Sequence, residues 1–373
     1  MRFLRYSVAL ALVLSACSGS GAETTTSSTT EPPTTTTTTE TTTTAEATTT
    51  TVDGRPRSPV NGLPIDDPET LDRRVLAVKI DNHWNARPQS GILQADAVFE
   101  IRVEGGLTRF MAVFHSADAE LLGPIRSGRP SDAAIVRPLE AVLTISGGQP
   151  WVQAGIRALG VNLIGDSRPG MFRVSGRSAP HNLYGNTVEL RGVADSRELP
   201  DTPPPVAIWE FGELPANGEE ASEATFTFSD TTTTVWTWDG TTYYRTIDGV
   251  DSNWVTPDEE VERINADVLI AIVGEYYTAS PPGGSSGSSV PATSTVGTGD
   301  VYVFADGKVV AGTWEREDAA DPFVFTTADG EPLPVPPGRP WISIVPDIGE
   351  VAFDNPPVTT TSTAPSTSTT TGG

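Results

Sequence analysis

A charged hairpin in the first third of the chain constrains the fold more than any other stretch. In AVFEIRVEGG, Phe99 and Ile101 fall on one face of a strand and Glu100 and Arg102 on the other, because strand side chains alternate. Two glycines end this strand, and TRFMAVFHS follows as its antiparallel partner. So many charged groups within strand-forming sequence predict a polar site on a sheet.

Two glutamates and four arginines make up the candidate site of this stretch: Glu100, Glu104, Arg102, Arg109, Arg126 and Arg129. In an extended strand the two glutamates are about 13 Å apart at the backbone, and converging side chains would bring their carboxyl groups to the separation of inverting glycosidases. A functional interpretation makes the glutamates acid and base beside guanidinium groups that hold an anion. A structural interpretation makes them a paired network that closes a buried sheet face.

A second set of polar candidate residues lies at the end of the buried strand RRVLAVKIDN and within the segment APHNLYGN. Asp81 and Asn82 at the end of this strand, and Arg87 shortly after it, are candidate binding residues, and Asn182 is one in the second segment. His181 is a candidate acid/base or a hydrogen-bonding partner of a ligand. The spacing of Asp81, His83 and His181 is a weak metal signal, so we predict neither a metal nor a cofactor.

The first seventeen residues have the pattern of a secretory signal. Arg2 and Arg5 precede a short apolar run that is too short to span a bilayer, for which about 20 residues are needed. Residues 14–17, LSAC, resemble the lipobox of bacterial lipoproteins, which implies lipidation of Cys17. Cys17 is the single cysteine of the chain, so an intramolecular disulfide is impossible.

Threonine-rich tracts flank the predicted fold. Residues 18–55 contain almost no apolar side chains and are predicted to form a disordered stalk, and residues 357–373 a disordered tail. The formal net charge of −24 argues against nucleic-acid binding, because phosphates would be repelled.

The fold class expected for the ordered part is α/β. Strands alternate with helices over residues 56–200, which predicts a layered mixed sheet with helices. Residues 206–356 predict a smaller β-rich domain with hairpin turns at Asp239, Asp306 and Asp329, each followed by glycine. Residues 279–299 lack apolar periodicity and are predicted to be a mobile loop inside this second domain.

Aromatic residues are concentrated in the second half of the chain and allow two interpretations. They can line a glycan-binding face, or they can form the alternating core of a β domain. The residues concerned are Trp236, Trp238, Tyr243, Tyr244, Trp254, Trp314 and Trp341.

Several motifs together resemble one known family. They are RPQSGILQADAVFEIRVEGGLTRFMAVF, GPIRSGR, APHNLYGN, YYRTIDG and VYVFADGKVVAGTWER. They resemble the YerB-like lipoproteins, the family of domain of unknown function 3048, over about residues 56–355. The resemblance implies a lipid-anchored envelope protein with an α/β N-terminal domain and a β-rich C-terminal domain. It supplies no catalytic residues to carry over.

Two functional hypotheses follow, and whether the chain is an enzyme stays open. The first is a protein secreted and lipid-anchored to the outer face of the cytoplasmic membrane, which binds or scaffolds a cell-wall polymer or an envelope protein through a charged cleft. The second is an enzyme that cleaves wall glycan with Glu100 or Glu104 as acid/base and His181 assisting. We place binding ahead, because no motif of known chemistry is present.

Overall fold

The computed structural model describes residues 54–204 and 206–354. Its three α-helices are α1 (Pro130–Val136), α2 (Pro150–Ala158) and α3 (Thr187–Ser196). Five 3₁₀ helices cover Pro68–Asp72, Trp84–Ala86, Ile92–Gln94, Glu104–Gly106 and Arg137–Leu139. The strands of the first half are β1 (Leu76–Asp81), β2 (Gln89–Ser90), β3 (Ala97–Arg102), β4 (Thr108–Phe114), β5 (Val142–Thr144), β6 (Leu163–Ile164), β7 (Met171–Arg173) and β8 (Leu183–Gly185).

The second half contains strands and no α-helix within the described residues. They are β9 (Glu219–Glu220), β10 (Glu223–Ser229), β11 (Thr232–Trp238), β12 (Tyr243–Ile247), β13 (Val250–Asp251), β14 (Asn253–Val255), β15 (Val261–Arg263), β16 (Asn265–Ala266), β17 (Val268–Gly274), β18 (Tyr276–Ala279), β19 (Val290–Thr293), β20 (Gly297–Ala305), β21 (Lys308–Arg316), β22 (Val324–Thr327), β23 (Pro340–Pro346) and β24 (Glu350–Asp354).

The charged hairpin is present as predicted. Strands β3 and β4 pair antiparallel, and β1 pairs with the other side of β4. Helix α1 begins at Pro130, with Arg129 as its N-cap residue. Pro130 starts the helix, where its missing N–H costs nothing, and the Asp132 carboxylate accepts a 2.7 Å hydrogen bond from the Arg129 backbone N–H.

One mixed sheet contains strands from both halves of the chain. Its strand order is β22-β21-β20-β17-β23-β3-β4-β1-β5-β6, with β9 beside β21. The two halves meet where β23 runs parallel to β3, with Phe99 opposite Ile342. All described residues therefore belong to one compact unit, although the sequence divides into an α/β and a β-rich segment.

A second sheet covers part of the large one. Its order is β13-β12-β11-β10-β24, with β16 beside β12. A third, three-stranded sheet again joins the halves, because β14 runs parallel to β2 with Trp254 opposite Gln89. The mixed sheet predicted from the sequence is thus confirmed, but the described residues contain few helices for the predicted α/β class, namely α1, α2 and α3.

The core lies on both faces of the large sheet. On one face, Val98 and Phe110 belong to a buried cluster with Phe226 of the second sheet and with Leu190 of α3. On the other face, Ile101 and Met111 share a cluster with apolar residues of α1 and α2. The alternation of β3 explains the division, because successive side chains point to opposite faces.

Most of the aromatic residues singled out in the second half are part of this core. Trp236, Tyr243, Trp254, Trp314 and Trp341 are buried, and the rings of Trp236 and Trp341 meet edge to face at 5.2 Å. The core interpretation is therefore confirmed for these five residues, and they offer no surface for a glycan.

The segment predicted as a loop is partly regular. Strands β18 and β19 pair antiparallel, and β20 begins at Gly297, so the irregular part between the two paired strands spans residues 280–289. The predicted signal peptide, Cys17, the stalk up to residue 53 and the tail 357–373 lie outside the described residues. Within the described ranges, no helix is long and apolar enough to cross a bilayer.

Candidate functional site

The candidate site lies at the carboxyl ends of the parallel strands β1 and β5. The segment 124–128 crosses these ends: the Asp81 N–H donates to the Pro124 carbonyl, and the Arg126 N–H donates to the Lys79 carbonyl, each at 2.8 Å. The Ser146 N–H donates to the Arg126 carbonyl at 2.9 Å. Carboxyl ends of parallel strands are where open α/β sheets place ligands, because side chains of several strands meet there.

Asp81 and His181 form the tightest contact of the site. Asp81 Oδ2 lies 2.6 Å from His181 Nδ1 and 3.1 Å from Arg126 Nε, and Asp81 Oδ1 accepts a hydrogen bond from the His83 N–H. Asp81 is 2% exposed, whereas the imidazole of His181 retains 13% exposure. A buried carboxylate on Nδ1 fixes the orientation of an imidazole and directs its Nε2 outward, which is how His bases are commonly held.

His83 joins this pair to an exposed aromatic residue. Its ring stacks on His181 at 4.6 Å, with 23° between the planes, and contacts the ring of Trp84 at 3.8 Å. Desolvation, followed by the nearby His181, lowers the pKa of His83. Its Nδ1 accepts the Asn85 N–H. We call Trp84, His83 and His181 the ring stack.

Three arginines lie beside this stack, and we call Arg109, Arg126 and Arg129 the arginine cluster. Arg109 and Arg129 both donate to the Ser127 carbonyl, at 2.8 and 3.4 Å. Arg109 is opposite Asp81 in the β1–β4 pairing. Burial, and then the charges of Arg129 and Arg126, lower the pKa of Arg109 to about 10, so it stays protonated at neutral pH.

A cavity of about 360 Å³ opens at the Arg129 end of the cluster. It is lined by Glu104, Ser127, Arg129, Gly148, Gln149, Val152 and Val290. Arg129 Nε donates to Glu104 Oε2 at 2.7 Å. Desolvation alone would raise the pKa of Glu104, but the hydrogen bond and charge of Arg129 outweigh it and lower that pKa. Glu104 is therefore ionised, and a general acid would need the opposite shift.

A buried ion pair between Lys79 and Asp132 contacts the backbone of the arginine cluster at Arg129. Lys79 Nζ lies 2.6 Å from Asp132 Oδ1, and both side chains are fully buried. The second oxygen of Asp132 holds the Arg129 backbone. Burial lowers the pKa of Lys79, while the adjacent Asp132 opposes that shift.

Glu100 lies on the opposite face of the sheet from Arg109. It is fully buried, and its carboxylate accepts hydrogen bonds from Arg245 at 2.6 Å, from Thr108 at 2.7 Å and from the indole of Trp341 at 3.0 Å. The guanidinium of Arg245 lies over the rings of Phe110 and Trp341. For Glu100 this geometry matches the structural interpretation, in which the charged groups form a paired network that closes a buried sheet face.

Asn82 and Arg87 extend the network of Glu100. The Asn82 amide donates to Thr108 Oγ1 at 2.8 Å, and Arg87 donates to the Asn82 carbonyl and side-chain oxygen. These two predicted binding residues therefore belong to the interior network of Glu100, although Asn82 directly follows Asp81 in the sequence.

Arg102 and Asn182 lie apart from both groups. Arg102 stacks over the ring of Tyr276 at 4.7 Å, and no ion pair joins it to Glu100 or Glu104 among the described residues. Asn182 accepts a 2.8 Å hydrogen bond from Arg173 in the β7–β8 hairpin.

Sequence reasoning missed four contributors: Trp84, Lys79, Asp132 and Arg245. Trp84 directly follows His83, so the presence of a tryptophan among the polar residues after β1 was a usable sequence signal. Lys79 is one of only two lysines and stands in an apolar strand, which signals a buried partner. Asp132 and Arg245 are separated in sequence from their partners by 53 and 145 residues, and no local pattern reveals such pairs.

Within the described ranges, no group of three or more His, Cys, Asp and Glu side chains has the geometry to hold a metal ion. The Nδ1 atoms of both His181 and His83 already have protein partners.

Comparisons with known proteins agree with this architecture. Residues 60–200 match the family model described as "Protein of unknown function (DUF3048) N-terminal domain", and residues 224–342 match the corresponding C-terminal domain. The protein named "Putative lipoprotein YerB" from Bacillus subtilis (strain 168) is 27% identical over 300 residues, which cover 78% of this chain and 87% of the relative. The crystal structure of the YerB protein from Bacillus subtilis superposes with a TM-score of 0.68 at 22% identity, over 80% of this chain and 100% of that chain, which shows a common fold. With both domain models matched in order across most of the described residues, the chain belongs to the DUF3048 family.

Proposed function

We propose that this chain is an envelope lipoprotein, anchored through Cys17 to the outer face of the cytoplasmic membrane, that binds a carboxylate-bearing ligand of the cell wall through the arginine cluster. The ligand is a wall polymer or an envelope protein. The similarity to a Bacillus protein named as a lipoprotein supports the anchor. The LSAC motif supports it independently.

The arginine cluster is the observation that carries the proposal. The chain as a whole has a net charge of −24, so three arginines on one short segment and the adjacent strand are a local reversal of charge. Guanidinium groups bind carboxylates through two parallel hydrogen bonds, which makes arginine the suitable residue for such a ligand.

Arg126 is the member best suited to receive a ligand. Its Nε lies 3.1 Å from Asp81, but its terminal nitrogens donate no hydrogen bond to any group within residues 54–204 and 206–354. The side chain retains 20% exposure. Arg109 and Arg129, by contrast, already donate to backbone carbonyls.

The test is co-sedimentation of the full chain with purified peptidoglycan. We expect the chain to bind and Arg126→Gln to bind about tenfold more weakly, the loss of one charge-assisted contact. Arg197→Gln is the matched control, because Arg197 is exposed and its side chain makes one hydrogen bond in the described part of the chain, to Ser167. Equal binding of both variants would remove the arginine cluster from recognition, and absence of binding by the wild-type chain would refute a peptidoglycan ligand.

A second candidate function is cleavage of the wall polymer, and the 2.6 Å contact between Asp81 and His181 favours it. In this scheme His181 is the acid/base and Glu104 lies at the neighbouring cavity. The buried and fully bonded Glu100 takes no part in it.

Release of soluble fragments from peptidoglycan, read by mass spectrometry, distinguishes cleavage from binding. Cleavage predicts fragments that disappear in His181→Gln while co-sedimentation of that variant persists. If the wild-type chain binds and releases nothing, the binding function alone stands.

A further inference from the structure

Trp84 is the most exposed tryptophan described and stands at the edge of the candidate site. The residue is 63% exposed, while part of its ring rests on His83. Large aromatic side chains normally bury most of their surface, so a tryptophan left in solvent beside a polar site marks a contact surface.

The segment that carries Trp84 is braced from several directions. Trp84 begins a 3₁₀ helix capped by His83, whose Nδ1 accepts the Asn85 N–H. Arg177 donates to the carbonyls of Asn85 and Pro88, at 3.1 and 2.6 Å. The exposed ring is therefore presented on an ordered support, which lowers the entropy cost of binding.

The ring stack is continuous with the arginine cluster. His181, at one end of the stack, shares the carboxylate oxygen of Asp81 with Arg126. Arg126 is also close enough to His83 to contribute to lowering its pKa. Beyond Arg126 the cluster leads through Arg129 to the 360 Å³ cavity. The site is thus elongated, with a flat aromatic surface at one end and guanidinium groups at the other.

From this arrangement we infer that the ring stack is a saccharide subsite and that the ligand is a sugar bearing a carboxylate-containing substituent. Sugar rings present a flat C–H face that packs on an indole, and the carboxylate of the same molecule reaches the arginine cluster. This inference rests on the proposed function and narrows its ligand class. An anionic bilayer surface is the poorer occupant of Trp84, because a chain of net charge −24 is repelled by it.

The test compares two probes by calorimetry with the full chain: a disaccharide-peptide fragment of peptidoglycan and the same peptide without the sugar. We expect the wild-type chain to bind the disaccharide-peptide about tenfold more tightly. Trp84→Ala should abolish this preference and leave affinity for the free peptide unchanged. Arg126→Gln should weaken both probes. Tyr277→Ala, which removes another exposed aromatic residue, is the matched control and should change neither.

Three results would overturn the inference. If Trp84→Ala keeps the preference for the disaccharide-peptide, the ring stack is not a sugar subsite, while loss of both probes in Arg126→Gln would still uphold the arginine cluster. If neither probe binds the wild-type chain, the proposed function fails together with the subsite. If Trp84→Ala instead loses binding to vesicles containing phosphatidylglycerol, the exposed indole contacts lipid.

Discussion

At the level of single residues, Glu100 and Glu104 are only four positions apart in the charged hairpin, yet they have different environments and partners. Glu100 is enclosed between two sheets and pairs with Arg245, whereas Glu104 is half-exposed at a turn and pairs with Arg129. A buried pair depends on both partners, because removing one leaves an unpaired charge in the interior. A pair exposed on both sides contributes little, and the Glu104–Arg129 pair lies between the two cases, because Arg129 is 12% and Glu104 42% exposed.

We predict that Glu100→Gln lowers the free energy of unfolding by about 3–5 kcal/mol, because Arg245 keeps its charge and loses its partner. Urea denaturation measures this change. Glu220→Gln is the control, since its pair with Lys308 is exposed and 4.0 Å long, and it should cost less than about 1 kcal/mol. Similar values for the two variants would contradict a stabilising role of the Glu100 pair.

His115 predicts a pH dependence of stability. It is fully buried, and its Nε2 lies 3.1 Å from the Arg73 carbonyl, so Nε2 carries the hydrogen. Its Nδ1 is buried without a hydrogen-bond partner in the described part of the chain. Desolvation lowers its pKa below 6.5.

Below pH 6.5 the unfolded chain takes up this proton before the folded chain does. The contribution of neutral His115 to the free energy of unfolding is therefore complete above pH 6.5, and it is lost as the pH falls toward the pKa of His115 in the folded chain. We expect His115→Gln to reduce the slope of unfolding free energy against pH, in the range just below pH 6.5, by up to about 1.4 kcal/mol per pH unit. Parallel curves for variant and wild type would show that His115 does not titrate on unfolding.

At the level of elements, the turn between β3 and β4 attaches the charged hairpin to the second sheet. Ser229 Oγ donates to the Gly106 carbonyl at 2.7 Å. Gly105 and Gly106 both have positive φ, of 70° and 73°. A Cβ on Gly106 would lie 2.4 Å from Thr231 Oγ1, whereas one on Gly105 would meet nothing within 4 Å.

The two glycines therefore form a matched pair for a test. Each alanine substitution incurs the left-handed backbone strain of about 1–2 kcal/mol. Gly106→Ala should cost about 1 kcal/mol more than Gly105→Ala, because Ser229 and Thr231 must move and weaken a hydrogen bond. Thermal or urea unfolding of the two variants measures the difference. Equal destabilisation would mean that the hairpin does not depend on this contact.

At the level of the whole molecule, the two family segments share their sheets and their core. The β3–β23 and β2–β14 pairings and the Glu100–Arg245 ion pair all cross between them. Separating the halves would expose the backbone of β3 and leave its apolar side chains without cover.

We predict that residues 54–204 and 206–354, produced as separate polypeptides, do not unfold cooperatively alone and regain a cooperative transition when mixed. Calorimetry of each piece and of the mixture measures this. Cleavage of the intact chain within residues 283–287, between β18 and β19, is the control and should preserve the transition, because that loop lies outside the pairings that join the halves. A cooperative transition in either isolated piece would show independent domains.

The strands and helices could largely be predicted from the sequence, because their patterns are local. The continuous apolar run of β1 and the strands of the charged hairpin appear as expected. Helix α3 shows the same local control, because its N-cap Asn186 accepts a hydrogen bond from the Glu189 N–H. Part of the site was also within reach, since Asp81, His181, Arg109, Arg126 and Arg129 were all named from the sequence and are brought together.

What the sequence determined by itself was the set of elements, the charge reversal at the arginine cluster and the family, because each depends on residues close together in the chain. The tertiary structure alone decided which charges meet. Hairpin register places Ile101 opposite Arg109, so Arg109 faces away from Glu100, which pairs instead with Arg245, 145 residues away. A one-residue change of register reverses every side chain between the faces, and burial of apolar surface across the whole sheet selects the register.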